Sequence, residues 1–562
     1  MIHSPLLRLV SDSAGSPSSL VDRLLREQQT LTAVDRFARQ HDQCDQPAQA
    51  RYYRDLIPLE RPRPGQQYAF EVDLDACTGC KACVAGCHSL NGLDEGEIWR
   101  TVGLLHGGTA EAPTQQTVTT SCHHCVEPAC LVGCPVKAYE KDPVTGVVRH
   151  LDDQCIGCQY CTLMCPYDAP KYSKQKGIVR KCDMCSDRLA VGEAPACVQA
   201  CPNQAIRVRV IDQVQALQAS EAGAFLPGAP APDHTVPTTM YRSARATPLN
   251  TLPADFYSAS PGHGHISLVI MLVLTQLAVG AFCIGLLGPT WLGSPGSGGW
   301  SVVNAAFALA LAVAAIGAAT LHLGRPQYAF RAVLGLRTSW VSREAVAFGL
   351  FAQTGVLYAL SLVSDRLPAF PAKALLLGKG SLWAGAAAAV GLFGVHCSVM
   401  IYAATRRSHW RAGITGVKFF GTTLILGIAA VTALTAATAA ARRGSPFLAS
   451  AAGRALLAFL LVTALLKLGL EASLFSHLRD RQHTVWKRIA LVMSQDLRTV
   501  TAWRFVAGVT GGVVAPALCL LAGGGAPGIA VLSLLLLITG ELLERYMFFK
   551  AAPASRMPGA LH

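Results

Sequence analysis

Residues 155–166 read CIGCQYCTLMCP, and the spacing of their cysteines decides the architecture of the first part of the chain. Cys155, Cys158, Cys161 and Cys165 follow the pattern C-x2-C-x2-C-x3-C, with a proline directly after the fourth cysteine. Three thiolates this close together can hold one face of an iron–sulfur cubane through a tight loop, while the fourth thiolate reaches a neighbouring cluster. The stretch therefore predicts 4Fe-4S clusters that occur in pairs.

Similar groups of four cysteines occur four times before residue 202, and sixteen of the 20 cysteines belong to them. In chain order, group one is Cys77, Cys80, Cys83 and Cys87; group two is Cys122, Cys125, Cys130 and Cys134; group three is Cys155, Cys158, Cys161 and Cys165; and group four is Cys182, Cys185, Cys197 and Cys201. The crossing of the fourth cysteine, applied to nested groups, pairs group one with group four and group two with group three. The expected ligand sets are Cys77, Cys80, Cys83 and Cys201; Cys182, Cys185, Cys197 and Cys87; Cys122, Cys125, Cys130 and Cys165; and Cys155, Cys158, Cys161 and Cys134.

Other uses of closely spaced cysteines fit this pattern less well. Structural zinc sites separate their C-x2-C pairs and do not require a third cysteine three residues later. Disulfides between cysteines on one tight loop would be poor long-range cross-links, and the chain has no C-x2-C-H motif for covalent haem. Cys44, Cys283, Cys397 and Cys519 fit no group and are expected to be buried thiols. Four clusters with a thiolate on every iron leave no open metal position, so this half is expected to carry electrons.

The second part of the chain is predicted to lie in a lipid bilayer. Over the whole chain 51% of the residues are hydrophobic and only 15% are charged, against about 25% charged residues in soluble proteins. The apolar residues concentrate in eight stretches, each long enough to cross a membrane as a helix of about 20 residues. These stretches are 266–288, 301–323, 344–363, 381–404, 417–440, 449–472, 503–522 and 526–549.

The net charge of +13 comes largely from short loops between the apolar stretches. No basic stripe interleaved with aromatic residues appears, so nucleic-acid binding is not expected. Most of these basic residues fall on the side that holds the amino end, which the positive-inside rule assigns to the cytoplasm. Residues 1–29 contain no continuous apolar segment and no twin arginine, so no export signal is expected there. We therefore expect a multi-pass protein of the bacterial inner membrane whose iron–sulfur half faces the cytoplasm.

Ionisable residues in the apolar stretches are candidates for function, because charge is costly in hydrocarbon. Lys467 and Glu471 lie four residues apart on one predicted helix, where they can neutralise each other. A b-type haem needs two histidines that face each other at one depth, whereas His396 is mid-span and His322 is near a helix end. No haem is therefore expected.

These patterns predict an α+β double 4Fe-4S ferredoxin domain followed by an all-α bundle of eight transmembrane helices. The expected segments are an N-terminal extension at 1–68, the four-cluster domain at 69–206, an extended proline-rich linker at 207–264, the membrane anchor at 265–550 and a C-terminal tail at 551–562.

The chain resembles two known subunits of the DMSO reductase family of molybdopterin oxidoreductases. The cysteine groups resemble its four-cluster iron–sulfur subunit. The stretches HLGRPQYAFRAVLGLRTSWVSREAV at 322–346, MIYAATRR at 400–407 and GELLERYMFF at 540–549 resemble its eight-helix membrane anchor. The chain would thus join the electron wire and the anchor in one polypeptide.

This resemblance implies partners and site residues. A separate catalytic subunit would hold the molybdenum cofactor, and the anchor would exchange electrons with a quinone, either menaquinone or ubiquinone. His322, Glu344 and Glu541 match residues that such anchors use near their quinol site. Some anchors have an arginine where this chain has Tyr328, so Arg325 or Arg331 is expected to replace it.

The resulting hypothesis is an electron-transfer and quinone-binding subunit whose substrate chemistry takes place on a partner subunit. Sulfite oxidation on the cytoplasmic side is the leading hypothesis for the substrate, because the inferred orientation matches the sulfite-oxidising relatives of the family. Formate oxidation, or reduction of nitrate, DMSO or a related oxide, are the alternatives. Two further hypotheses are a redox link to a partner without molybdenum and a redox-driven ion transporter.

Overall fold

The computed structural model describes residues 19–30, 32–35, 39, 50–258, 260–262, 264–288, 297–366, 376, 378–441, 447–521, 527–553 and 555–559. Within these residues the chain consists of an α+β domain that contains the grouped cysteines, called here the iron–sulfur domain, and an α-helical bundle. The thiol of Cys44 lies outside the described residues.

The strands of the iron–sulfur domain are β1 (Gln66–Asp73), β2 (Thr101–Gly108), β3 (Pro113–Thr120), β4 (Tyr139–Lys141), β5 (Val148–His150), β6 (Lys171–Ser173), β7 (Ile178–Arg180), β8 (Ile206–Asp212), β9 (Met240–Arg242) and β10 (Leu252–Pro253). The helices before the bundle are α1 (Leu20–Gln29), α2 (Ala50–Tyr53), α3 (Ala82–Leu90), α4 (Ala129–Gly133), α5 (Tyr160–Met164), α6 (Ser186–Ala190), α7 (Ala196–Gln199) and α8 (Gln213–Glu221), with 3-10 turns at Arg54–Leu56 and Pro232–His234.

A three-stranded sheet joins the two ends of the cysteine-rich region. Strand β1 precedes group one and pairs antiparallel with β8, which follows group four, so that Phe70 lies opposite Val208 and Val72 opposite Ile206. These four side chains are buried. The sheet holds groups one and four side by side although they are far apart in sequence.

Helix packing pairs the cysteine groups in the same nested way. The helix of group one, α3, packs on α7 of group four, and α4 of group two packs on α5 of group three. Gly133 shows how closely the second pair approaches, because a Cβ atom there would lie 2.7 Å from Cγ of Met164. Along the chain, the hairpin β4–β5 lies between groups two and three, and the hairpin β6–β7 lies between groups three and four.

The region predicted as an extended linker, 207–264, differs in the structure. Strand β8 occupies its first residues, α8 follows, and β9 adds to β1 in parallel on the side opposite β8. The many prolines do not prevent this, because β9 itself contains none and β10 contributes only two residues to its sheet. Much of this segment is therefore part of the iron–sulfur domain.

Within the described residues, the second part contains eight helical spans that are long and apolar enough to cross a membrane, which confirms the prediction. Its helices are α9 (Ile266–Gly285), α10 (Ser297–Leu321), α11 (Trp340–Leu362), α12 (Gly380–Ala403), α13 (Ala412–Ala441), α14 (Ala451–Ser473), α15 (Val485–Ser494), α16 (Arg498–Val509), α17 (Ala515–Leu521) and α18 (Pro527–Lys550). A π-helical turn at Thr510–Val514 joins α16 and α17 into one span. The 3-10 turns are Pro326–Val333, Ser364–Arg366, Ser408–Trp410, Phe447–Ala449 and Leu474–Arg479.

The C-terminal tail returns from the bundle to the iron–sulfur domain. Leu104 of β2 donates its backbone N–H to the carbonyl of Gly559 at 2.8 Å. Arg556 forms an ion pair with Asp255 at 2.7 Å, and Ser555 donates to the carbonyl of Pro166 at 2.8 Å. The last span therefore ends on the face of the bundle that carries the iron–sulfur domain, as an even number of spans requires.

Candidate functional site

The cysteines of groups two and three form two compact sets. Burial raises the pKa of the Cys130 thiol, and neighbouring thiolates raise it further, namely those of Cys165, Cys122 and Cys125. These four residues line one small cavity. In the same way, burial and then three neighbouring thiolates raise the pKa of Cys161, namely those of Cys158, Cys134 and Cys155. Four neighbouring thiols, which are soft sulfur donors, are of the kind that an iron–sulfur cluster requires.

The cysteines of groups one and four approach one another across the helix pair α3–α7. Burial raises the pKa of Cys87 to about 12, and the nearby thiolates of Cys197 and Cys185 contribute to the shift. Cys83 interacts electrostatically with Cys197 and Cys201. Cys80 is exposed, and the carbonyl of Cys77 accepts a hydrogen bond from Thr117 at 2.5 Å.

The tight loop of group three requires glycine at its second turn. Gly157 has φ +71°, which is favourable only for glycine, and a Cβ atom there would lie 2.2 Å from the carbonyl oxygen of Gly177. The same atom would lie 2.9 Å from Cα of Gly324, which belongs to the membrane domain. The loop can therefore wrap closely around a cluster and rest on the membrane domain at the same time.

Buried cationic and imidazole groups lie among the cysteines. Arg100 is 1% exposed, stacks on Phe70 and interacts electrostatically with Cys83, Cys87, Cys182 and Cys197. Its guanidinium donates to the hydroxyl groups of Thr119 and Ser121 at 3.3 and 2.9 Å.

His124 lies between groups two and four. Burial holds its pKa well below the ordinary value, so its imidazole is neutral. Nδ1 accepts the backbone N–H of Val148 at 3.1 Å, which leaves the proton on Nε2, and Nε2 lies 4.0 Å from Sγ of Cys182. The imidazole N–H therefore faces a predicted cluster ligand.

Groups two and three face the membrane domain. The carbonyl of Pro135 accepts the backbone N–H of Gly335 at 2.7 Å, and the carbonyl of Gly133 accepts the hydroxyl of Ser339 at 2.7 Å. The hydroxyl of Tyr160 donates to the carbonyl of Ile401 at 2.7 Å. Groups one and four lie farther along the domain, on the β1–β8 sheet.

A cavity of about 300 Å³ lies where group three meets the bundle, and we call it the first cavity. Its wall combines Cys158 of group three with His322 and Glu344 of the membrane domain. Apolar side chains of α9, α10 and α11 form most of the remainder, including Leu268, Ile316 and Phe348. An apolar cavity with a few polar groups at one end suits a lipophilic ligand with a polar head.

The polar groups of the first cavity are held by defined partners. His322 donates from Nε2 to the carbonyl of Cys158 at 3.1 Å. Burial lowers the pKa of His322, and this hydrogen bond opposes the shift only in part, so the ring is neutral at pH 7. Nδ1 is then an acceptor. Glu344 is 8% exposed and accepts a hydrogen bond from the hydroxyl of Ser398.

Two of the predicted quinone-site residues lie elsewhere. Arg325 donates from Nη1 to the carbonyl of Asp152 at 2.9 Å and so holds the iron–sulfur domain, as Arg331 does through Asp153 at 2.8 Å. Glu541 lies in a buried ion network, where it pairs with Lys467 and with Arg504 at 3.0 Å. Neither Arg325 nor Glu541 lines the first cavity.

Sequence reasoning missed three aromatic side chains of this cavity. Tyr160 and Tyr402 line it, and His265 also lines it, with its ring centroid 5.4 Å from that of His322. Tyr160 stands between two cluster cysteines in the sequence, which hides it among the ligands. Tyr402 lies in the stretch MIYAATRR at 400–407, but the resemblance assigned it no role, and His265 lies in a loop position that no motif marks.

The fold and the cysteine sets define a membrane-anchored iron–sulfur protein. Comparison with known families agrees. Residues 114–211 match the 4Fe-4S dicluster domain, and residues 260–550 match the DMSO reductase anchor subunit (DmsC). The chain belongs to the DMSO reductase anchor subunit family, with an iron–sulfur subunit fused before the anchor.

The iron–sulfur domain is similar to three known proteins. It is 37% identical over 166 residues to the B subunit of the anaerobic dimethyl sulfoxide reductase of Haemophilus influenzae, covering 28% of this chain and 80% of that protein. The corresponding Escherichia coli subunit is 39% identical over 157 residues, covering 26% and 76%. The hydrogenase-2 operon protein HybA of Escherichia coli is 32% identical over 238 residues, covering 37% and 71%. These matches support 4Fe-4S clusters in this chain.

Replacing Arg100 with Met is expected to lower the reduction potential of the nearby cluster. A reduced cluster carries one more negative charge, and a cation at about 5–10 Å with an effective dielectric constant of about 20 contributes about 70–140 mV. Potentiometric titration followed by electron paramagnetic resonance measures this shift. Arg100→Lys keeps the charge and is the matched control; equal potentials in the Met and Lys variants would contradict the prediction.

Proposed function

We propose that the first cavity binds the head group of a quinone, and that the chain relays electrons between this quinone and a separate catalytic subunit. The observation that carries the proposal is the contact of His322 with the carbonyl of Cys158, which places a cavity with two proton-accepting side chains directly beside a predicted cluster ligand. The sequence motif at 322–346 predicts the same two side chains, His322 and Glu344, as members of one site.

The cavity offers the chemistry that quinol oxidation needs. Oxidation of a quinol to a quinone releases two electrons and two protons, so the site must accept both. The Glu344 carboxylate and the acceptor nitrogen of His322 are suited to take the protons. Tyr160 and the apolar wall exclude water and hold the ring. A bound 4Fe-4S cluster supplies one-electron transfer.

The proposed wire contains four clusters, held by the ligand sets that the crossing rule gives. Electrostatic contacts order these sets along the domain. Cys83, in the set that includes Cys80, interacts with Cys197 of the second set. Cys182, also in the second set, interacts with Cys122 of the third set. Helices α4 and α5 carry ligands of both the third set and the fourth, and the fourth includes Cys158 at the first cavity. The set with the exposed Cys80 is then the contact point for the catalytic subunit.

The proposed partner is a molybdopterin subunit, because two of the three relatives named above are B subunits of anaerobic dimethyl sulfoxide reductases and the membrane domain matches the anchor subunit of such a reductase. The third relative, a hydrogenase-2 operon protein, keeps the redox link to a partner without molybdenum as the alternative. Sulfite oxidation on the cytoplasmic side remains our leading proposal for the substrate, and it depends on the orientation inferred from the basic loops. Formate oxidation and reduction of nitrate or DMSO-type oxides are the alternatives.

Replacing Glu344 with Gln tests the quinone site. The amide keeps the size of the side chain but cannot take a proton, so quinol-dependent reduction of the clusters is expected to slow by about 100-fold or more. Rapid mixing of the purified complex with a quinol analogue, followed by the bleaching of cluster absorbance, measures the rate. Reduction by dithionite should be unchanged.

Asp365→Asn is the matched control, since Asp365 is an exposed carboxylate that does not line the first cavity. We expect the normal rate of quinol-dependent reduction in this variant. A normal rate in Glu344→Gln as well would reject the proposed site.

The metal content of the complex tests the partner and the cluster count. Four clusters of four irons predict sixteen irons for each copy of this chain. A molybdopterin partner predicts about one molybdenum for each copy. Elemental analysis of the affinity-purified detergent complex gives both numbers. Full iron without molybdenum in an intact complex would favour the redox link to a partner without molybdenum.

The orientation can be tested at the C-terminal end. The tail lies against the iron–sulfur domain, so a reporter fused there reports the side of the membrane on which the wire lies. A green fluorescent protein fusion is expected to fluoresce, and an alkaline phosphatase fusion is expected to be inactive. The opposite pair of results would place the iron–sulfur domain outside the cytoplasm and remove the argument for sulfite.

A further inference from the structure

A second cavity, of about 600 Å³, lies beside the first one on the same face of the membrane domain. Helices α13, α14 and α15 and the end of α18 enclose it. Trp410, which lines it, packs edge to face on Tyr402 of the first cavity, with ring centroids 5.3 Å apart. Two aromatic side chains thus separate the cavities.

The second cavity has unused hydrogen-bonding groups at its polar end. Trp410 is 2% exposed, yet its indole N–H has no hydrogen-bond partner among the residues that the structure describes. Nε2 of His409 and both carboxylate oxygens of Glu544 also lack a hydrogen-bond partner within that part of the chain, although Glu544 forms ion pairs with Lys418 at 3.2 Å and with Arg545 at 3.3 Å. Buried polar groups without partners are uncommon, so these groups point to a ligand that both accepts and donates hydrogen bonds.

The charges at this end favour a neutral ligand. The ionised side chains that line the cavity beside the histidines are two cations and two carboxylates, Lys418, Lys467, Glu471 and Glu544. Lys418 pairs with Glu544 at 3.2 Å, and Lys467 pairs with Glu471 at 3.5 Å. Glu544 also pairs with Arg545 at 3.3 Å, Glu471 with Arg504 at 2.9 Å, and Lys467 with Glu541. Each of these four charges therefore already has an ionic partner within the described residues, which favours a ligand without charge over a phosphate head group.

The rest of the cavity suits a lipophilic molecule that enters from the bilayer. Trp486, Ile489 and Met493 form apolar walls. Val417 and Leu470, on neighbouring spans, are 55% and 59% exposed and line the same cavity, so its side is open to lipid. A neutral, flat ring that carries two carbonyl oxygens and an apolar tail would fit both the polar end and the apolar walls of the cavity.

We propose that the second cavity binds a second quinone molecule, with a ring oxygen accepting the Trp410 N–H and, in the quinol form, a hydroxyl donating to Glu544. This inference rests on the quinone chemistry proposed for the first cavity. It adds a second binding site, and no predicted cluster cysteine lines that site. The two molecules lie on opposite sides of the Tyr402–Trp410 contact.

Two glycines provide matched variants that fill one cavity each. Gly413 lines the second cavity and Gly349 the first, and a Cβ atom at either position meets open space. Gly385 has the same open surroundings on another span and lines neither cavity, so Gly385→Phe is the control. Equilibrium binding of decylubiquinone to the purified complex, with extraction and mass spectrometry, gives the number of molecules bound.

The unsubstituted complex and the control are expected to bind two molecules for each copy of this polypeptide, whereas Gly413→Phe and Gly349→Phe each bind one. Trp410→Phe is expected to weaken quinone affinity at the second cavity by about tenfold, because this change removes one buried hydrogen bond and keeps an aromatic side chain. Unchanged binding in Gly413→Phe, or phospholipid alone at that site, would overturn the inference. A different result would reject the first cavity as the redox site, namely a normal rate of quinol-dependent cluster reduction in Gly349→Phe.

Discussion

Backbone hydrogen bonds between the loops of groups two and three and the membrane domain fix the geometry on which the rest of the structure depends. A buried carbonyl or N–H group must find a partner, and here the partners come from the other half of the chain. The carbonyl groups of Ile156 and Pro135 accept the backbone N–H groups of Arg325 and Gly335 at 3.0 and 2.7 Å. These bonds hold Cys158 at the wall of the first cavity, and a side chain at Gly157 would separate the two surfaces.

A second constraint organises the other side of the bundle. Glu541 of α18 pairs with Lys467 of α14 and Arg504 of α16, and Arg504 also binds Glu471 through two hydrogen bonds of 2.9 Å. Removing one member would leave a buried charge without its partner, which is strongly destabilising. This network joins three spans and holds Glu541 away from the first cavity.

The parts that sequence predicted are those where chemistry is local. Cysteine spacing predicts the tight loops, and apolar length predicts the eight helices, because both signals lie within one short segment. The resemblance to the anchor family predicted His322 and Glu344 together from the stretch 322–346, and both line the first cavity. Tertiary contacts decided the remainder: β8 and β9 are ordered by pairing with β1, and Arg325 is drawn to Asp152. No pattern within 207–264 signals that pairing.

The basic loops illustrate how one set of residues serves two physical purposes. Arg325, Arg331 and Arg407 each donate to a backbone carbonyl of the iron–sulfur domain, at 2.8–3.1 Å, and all three contribute to the positive charge on that face of the bundle. Docking alone would select such residues, whichever side of the membrane the domain occupied. The charge pattern therefore follows from the fusion of the two halves as well as from membrane insertion. The loops and the tail around Gly559 contact the same domain, so the two halves are held together by several contacts besides the segment between them, and that segment itself contributes β8 and β9 to the β1 sheet.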